Sequence, residues 1–178
     1  MKIAISGPAG SGKTTFAEFF VKKYGFTRTG FANAVKKVGM DEYGLTYEEA
    51  FGHNKNRTVL QEIGHGHRVK YGERYWVDKL LEQINGMDNV IIDDVRYLNE
   101  YQTLKDNGFI MVRINASEPI RRSRIPKTFP ENPNHPSEIE LNDVEDWHVI
   151  ILNEGSLSKL EGFANKVYNS FINTNDNV

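Results

Sequence analysis

Apolar residues along this chain follow two rhythms. Short unbroken runs occur at Lys2 to Ser6 (KIAIS), Asn89 to Asp93 (NVIID), Phe109 to Asn115 (FIMVRIN) and Trp147 to Asn153 (WHVIILN). Runs of this length without a polar alternate predict strands buried on both faces of a parallel sheet. A further short strand is expected near Phe26 to Thr29. Between the runs the spacing changes to three and four. Phe16, Phe20 and Tyr24, with Ala17 and Val21 beside them, make one stripe and predict a helix over Thr14 to Tyr24, ended by Gly25. More helices are expected from FANAVKKVG (Phe31 to Gly39), NRTVLQEIGHGHRVKYG (Asn56 to Gly72) and ERYWVDKLLEQING (Glu73 to Gly86). Later helices are read at Leu98 to Gly108, at EPIRRSRI (Glu118 to Ile125), and from Leu157 to about Phe171. Residues 40–56 read as irregular with a short helix, and Pro126 to Pro136 as a loop rich in proline and asparagine.

Strands alternating with helices imply an α/β fold, with about five parallel strands joined by right-handed crossovers and helices on both faces. No internal repeat and no biased linker divides the sequence, so residues 1–178 are expected to form a single domain. Hydrophobic residues make up 39% and charged residues 26%, with a formal net charge of −2. No long basic block is present, which disfavours a nucleic-acid polymer as partner. The chain has no cysteine, so neither a disulfide framework nor a thiolate zinc site is expected. No apolar run approaches the roughly 20 residues of a membrane span, and glycines interrupt the first strand too early for a signal peptide. The expected compartment is the cytoplasm. Oligomeric state, a homodimer included, is left open.

Chemistry enters directly after the first strand. Gly7-Pro8-Ala9-Gly10-Ser11-Gly12-Lys13-Thr14 matches G-x-x-x-x-G-K-[ST] between an expected strand and an expected helix. Small residues let successive backbone N–H groups turn inward as an anion nest, and the helix amino terminus adds a positive dipole end. Lys13 is expected at the β- and γ-phosphates, and the Thr14 hydroxyl on Mg²⁺. Gly7, Ala9, Gly10, Ser11, Gly12, Lys13, Thr14 and Thr15 are the expected contacts to ATP. Asp93-Asp94 stands where an apolar strand ends, the place for a second Mg²⁺ group. His65-Gly66-His67 invites a metal reading, but the sequence offers neither cysteine nor a third ligand at a suggestive spacing.

The phosphate loop is followed in order by GFANAVKKVG, RTVLQEIGHGHRVKYGERYWV, IIDDVRYLNE, HPSE (His135 to Glu138) and ILNEGSLSKL (Ile151 to Leu160). Together these resemble the phage-type deoxynucleoside monophosphate kinases over nearly the whole chain. Dephospho-coenzyme A kinase and phosphomevalonate kinase share several of the same features and stay open as alternatives. A nucleotide switch or ATPase is a third reading. The resemblance implies a P-loop kinase fold, ATP and Mg²⁺ as cofactors, and phosphorylation of a deoxynucleoside 5′-monophosphate. If the chain is phage-encoded, that activity belongs in the host cytoplasm.

It also implies roles. Asp94 and Arg96 match a D-x-R pair, so Asp94 is preferred over Asp93 for Mg²⁺, with Arg96 toward the acceptor phosphate. Arg121, Arg122 and Arg124 are expected in a lid spanning about 118–137. Arg121 and Arg124, at i and i+3, would clamp phosphate, leaving Arg122 to stack on the donor base. Asn153 to Ser156 is an expected edge for adenine, with a simple Gly turn as the alternative. The acceptor-binding insertion is placed at about 31–85. Phe31, Lys36, Arg57, Gln61, Arg68 and Trp76 are its candidate contacts, with core packing for Trp76 and surface charge for Arg57 and Arg68 equally open. His135 has no assigned role.

Overall fold

The computed structural model describes residues 1–52, 55–126 and 136–172, with the side chain of Arg57 left aside. Residues 127–135 of the expected lid, His135 included, lie outside these residues. The chain divides into two compact units, Met1–Thr29 with Asp88–Val178, and Gly30–Met87.

The first unit is built on a sheet of β1 (Lys2–Ser6), β2 (Thr27–Thr29), β3 (Val90–Val95), β4 (Ile110–Asn115) and β5 (Val149–Leu152), in the order β2-β3-β1-β4-β5. Every pairing among them is parallel. Side chains alternate along a strand, so each strand divides its residues between two faces. Ile3, Ile5, Ile91, Val112, Ile114 and Ile151 turn to one face. There they join Phe16, Ala17 and Phe20 of α1 (Lys13–Tyr24) and Leu160, Ala164 and Val167 of α9 (Leu157–Ile172). The intervening Ala4, Ile92 and Met111 are equally inaccessible, so the central strands β1, β3 and β4 are covered on both sides and run apolar without alternation. The edge strand β5 corrects the expectation for its own apolar run, since Ile150 and Leu152 are exposed. The unit is completed by α6 (Leu98–Asp106), α7 (Glu118–Arg124) and the short α8 (Pro136–Ile139).

The second unit is helical among its described residues: α2 (Phe31–Tyr43), α3 (Tyr47–Phe51), α4 (Arg57–Tyr71) and α5 (Tyr75–Gln83). Helix α2 continues past the expected end at Gly39, which is buried beside Leu45, Leu60 and Ile63, and stops at Gly44. Thr46 starts α3 with a capping box, its hydroxyl accepting from the Glu49 N–H while the Glu49 carboxylate accepts from the Thr46 N–H. No described helix is long and apolar enough to cross a membrane.

Candidate active site

The loop between β1 and α1 carries the chemistry, and its backbone explains its composition. Gly7 has φ of 149°, and a Cβ there would stand 2.1 Å from the carbonyl oxygen of Ile114. Gly12 has φ of 102° and leaves no room beside the side-chain amide of Asn153. Only glycine meets both demands. Lys13 folds back, its Nζ donating to the carbonyls of Gly7 at 2.6 Å and Pro8 at 3.0 Å. Burial pushes its pKa down to about 8; the charge of Arg96 acts in the same direction, against Glu138 and Asp93. Asn153, 4% exposed, donates from its side chain to the Ser11 carbonyl at 2.8 Å. It braces the loop.

Strand β3 extends through Val95 rather than ending at Asp93, so both aspartates belong to it, and its register with β1 shifts across them, Ala4 pairing with Ile92 and Ser6 with Val95. Asp93 shares the face of Ile91 and α1, and accepts from the Thr14 hydroxyl at 2.8 Å. The Thr14 hydroxyl thus bonds the aspartate that was the second choice for Mg²⁺. The sequence reading also missed Arg28 on β2, whose guanidinium lies 2.8 Å from the same Asp93 oxygen and 3.4 Å from the Thr14 hydroxyl. The β2–β3 register, Arg28 beside Ile91, puts Arg28 on the Asp93 face; that pairing was the missing signal.

The arginines of α7 separate by their position on the helix. Arg121 donates to the Ala9 carbonyl at 3.2 Å and the Ala116 carbonyl at 3.1 Å. Arg124 donates to the Asn153 carbonyl at 3.1 Å and reaches the Gly10 carbonyl at 3.4 Å. Arg122 instead pairs with Glu118 at 2.8 Å on the exposed face. A cavity of about 210 Å³ is lined by Gly12, Thr15, Arg124, Asn153, Gly155 and Ser156, with Leu157 and Leu160. Arg124 is among its lining residues and Arg122 is not.

Arg96 is held from two sides. Its N–H donates to Glu100 at 2.8 Å, a buried carboxylate at the start of α6, and its guanidinium donates to Glu138 at 2.6 Å. The second oxygen of Glu138 accepts from the Ala9 N–H at 3.1 Å. Behind them Arg113 of β4 is 7% exposed and donates to Ser6 at 3.0 Å and Asn142 at 2.7 Å. Neither Arg113 nor Glu138 was singled out from the sequence, although HPSE had been noted without a role.

Within the second unit, Trp76 is 2% exposed, its indole N–H donates to the Gly64 carbonyl at 2.8 Å, and His67 stacks on it at 5.5 Å. Such a ring offers no face to a ligand, which corrects its place among the acceptor contacts. His67 meets the Tyr43 hydroxyl at 2.9 Å. Phe31 is also buried, and Arg68 faces Glu73 at 3.6 Å. Lys36 lies over the Phe51 ring at 4.8 Å. Gln61 is exposed on α4, four residues beyond Arg57.

A parallel sheet with a glycine-rich phosphate loop, its lysine and threonine, and a strand-borne aspartate against that threonine defines a P-loop phosphotransferase. The model of a family described as AAA domain matches residues 3–148, and the chain belongs to that family. A protein of Acanthamoeba polyphaga mimivirus named "Putative deoxynucleotide monophosphate kinase" is 24% identical over 185 residues, covering 88% of this chain and 90% of that one. Two solved structures share the fold. A shikimate kinase from Acinetobacter baumannii, in complex with shikimate, gives a TM-score of 0.57 at 16% identity, covering 97% of this chain and 93% of its own. A deoxyadenosine kinase from M. mycoides, with products dCMP and a flexible dCDP bound, gives 0.52 at 18% identity, covering 96% and 99%.

Proposed function

We propose that this chain transfers the γ-phosphoryl group of ATP to a deoxynucleoside 5′-monophosphate, giving the diphosphate and ADP. The supporting observation is the grouping of cations around one phosphate loop: Lys13 on its own carbonyls, Arg121 and Arg124 against its outer carbonyls, and Arg96 tied to its Ala9 amide through Glu138. Two phosphate-bearing substrates repel each other, and phosphoryl transfer asks the protein mainly for positioning and charge neutralisation. An oxygen of the acceptor phosphate attacks the γ-phosphorus, the bond to the β,γ-bridging oxygen breaks, and its electron pair leaves with ADP. The acceptor phosphate needs no general base at neutral pH when it is already a dianion.

In this reading Lys13 and the loop amides hold the β- and γ-phosphates, and the adenine occupies the cavity bordered by Arg124, Gly155 and Ser156. The Thr14 hydroxyl and the Asp93 carboxylate are a hard oxygen pair of the kind that suits Mg²⁺ beside phosphates. When bound, Mg²⁺ supplies charge neutralisation across the donor phosphates. Arg96 serves the acceptor phosphate. On the Gly30–Met87 unit, Arg57 and Gln61 are assigned to acceptor phosphate and base edge, and Lys36 of α2 is a further candidate. The name of the mimiviral relative supports the acceptor class.

The experiment is an ADP-release assay across deoxy- and ribonucleoside monophosphates, with dephospho-coenzyme A, phosphomevalonate and shikimate as further arms. ADP release that depends on a deoxynucleoside monophosphate is expected. Turnover only with one of the other acceptors would overturn the substrate assignment, and turnover without any acceptor would overturn the kinase reading.

A further inference from the structure

The phosphate loop already holds an anion of its own. Glu138, on the four-residue helix α8, places one carboxylate oxygen 3.1 Å from the Ala9 N–H and the other 2.6 Å from the Arg96 guanidinium. Its side chain is 11% exposed. The Ala9 amide belongs to the run of backbone donors that a nucleoside triphosphate needs, so the carboxylate and a phosphate oxygen compete for one hydrogen bond. They compete for charge as well. Lys13, Arg96 and Arg113 surround this point, and Glu138 acts on both Lys13 and Arg113. Of the nearby carboxylates, Asp93 is engaged by Arg28, and Glu100 accepts from the backbone N–H groups of Arg96 and Tyr97.

We propose that Glu138 is a positioning residue that competes with the donor phosphates for the phosphate cradle and is displaced by them. Seated there, it neutralises a group of cations that would otherwise repel one another, and it holds Arg96 in place. When a triphosphate enters, its oxygens take the Ala9 amide and Glu138 lets Arg96 go. The cation assigned to the acceptor is thus released only in molecules that have bound the donor. The inference rests on the reading of the loop as a triphosphate site.

A competent fraction reduced by an internal competitor weakens apparent affinity in proportion. Replacing a charged partner of two hydrogen bonds, Glu138→Gln should therefore tighten binding of the non-hydrolysable analogue AMP-PNP by about ten- to hundred-fold. Loss of a structural contact alone moves affinity the other way. The control is Glu145→Gln, which removes the same charge from an exposed position and should leave the affinity unchanged. Glu138→Asp, one methylene shorter, should also tighten binding, by less. In the unmodified protein, the amides of Glu140 and Asn142 bond to the carbonyls of Pro136 and Ile139. They should exchange hydrogen faster once AMP-PNP has displaced the carboxylate that anchors α8. Unchanged or weaker binding by Glu138→Gln, or slowed exchange at those amides, overturns the proposal while wild-type AMP-PNP binding keeps the triphosphate site. Failure of the wild type to bind AMP-PNP overturns both.

Discussion

The phosphate-loop unit and the helical unit spend their polar residues differently. Around the loop, cations and amides converge on a small volume: Lys13, Arg96, Arg121 and Arg124 all bond to loop backbone or to the carboxylate seated on it. In Gly30–Met87 the most distinctive side chains turn inward instead. Trp76 and His67 stack in the interior, and Phe31 is buried at the start of α2. Donor phosphates make the same demand whatever the acceptor is, and backbone geometry meets it. In the proposed reading an acceptor base meets a few exposed side chains such as Gln61, on helices whose identity is set mostly by their own packing. Conspicuous residues therefore mark function in the first unit and stability in the second.

Lys13→Ala probes the first unit most severely. Among the described residues its side chain bonds the loop carbonyls of Gly7 and Pro8, so the variant should keep its thermal midpoint while kcat falls on the order of 10³-fold or more. A variant retaining wild-type turnover would remove the phosphate loop from the mechanism. Next come the arginines of α7. Arg124→Ala or Arg121→Ala should lower kcat by about 10²- to 10³-fold at saturating substrates, because charge at the transferring group is neutralised most strongly in the transition state. Lysine should rescue poorly, lacking the planar fork. Arg122→Ala should remain within a few-fold of wild type; an equal loss at all three positions would break the distinction between the two helix faces.

Asp93→Asn should raise the Mg²⁺ concentration needed for half-maximal rate by at least about tenfold, and Asp94→Asn by much less. A Mg²⁺ titration giving the opposite ranking would restore Asp94. The smallest effects separate function from packing inside the helical unit. If Arg57 makes the proposed charged contact to the acceptor phosphate, worth about 1.5–3 kcal/mol, Arg57→Ala should raise the acceptor KM roughly ten- to hundred-fold with the ATP KM little changed. Trp76→Phe should leave both constants near wild type while stability falls by about 1–3 kcal/mol, through the orphaned Gly64 carbonyl and the space left by the smaller ring. The opposite pattern, a stable Trp76→Phe enzyme with a raised acceptor KM, would return the indole to the site.

Much of the fold was legible because β1, β3 and β4 are buried on both faces and so run apolar, while α1 shows its stripe at every fourth residue; β5 reads the same way although Ile150 and Leu152 are exposed at the sheet edge. The phosphate loop was legible because its glycines answer to backbone geometry that no other residue satisfies. Asp93 and Asp94 were hard to tell apart because a strand boundary misplaced by two residues hides how each is placed. Arg28 was invisible because its meaning comes from the register with β3, a contact across more than sixty residues of sequence. Glu138 escaped for the same reason: nothing local shows that it reaches Ala9, 129 residues away. Arg122 and Arg124 look alike in a row of arginines, and only the helix phase against Glu118 and Asn153 divides them.

The central claim is that the terminal phosphoryl group of ATP goes to a nucleotide acceptor rather than to water. Incubation with [γ-³²P]ATP, Mg²⁺ and a mixture of deoxynucleoside monophosphates, resolved by chromatography, tests it directly. Label should accumulate in a deoxynucleoside diphosphate, with inorganic phosphate at the level of a control lacking enzyme. Label released as inorganic phosphate at the same rate with and without the acceptors would contradict the account.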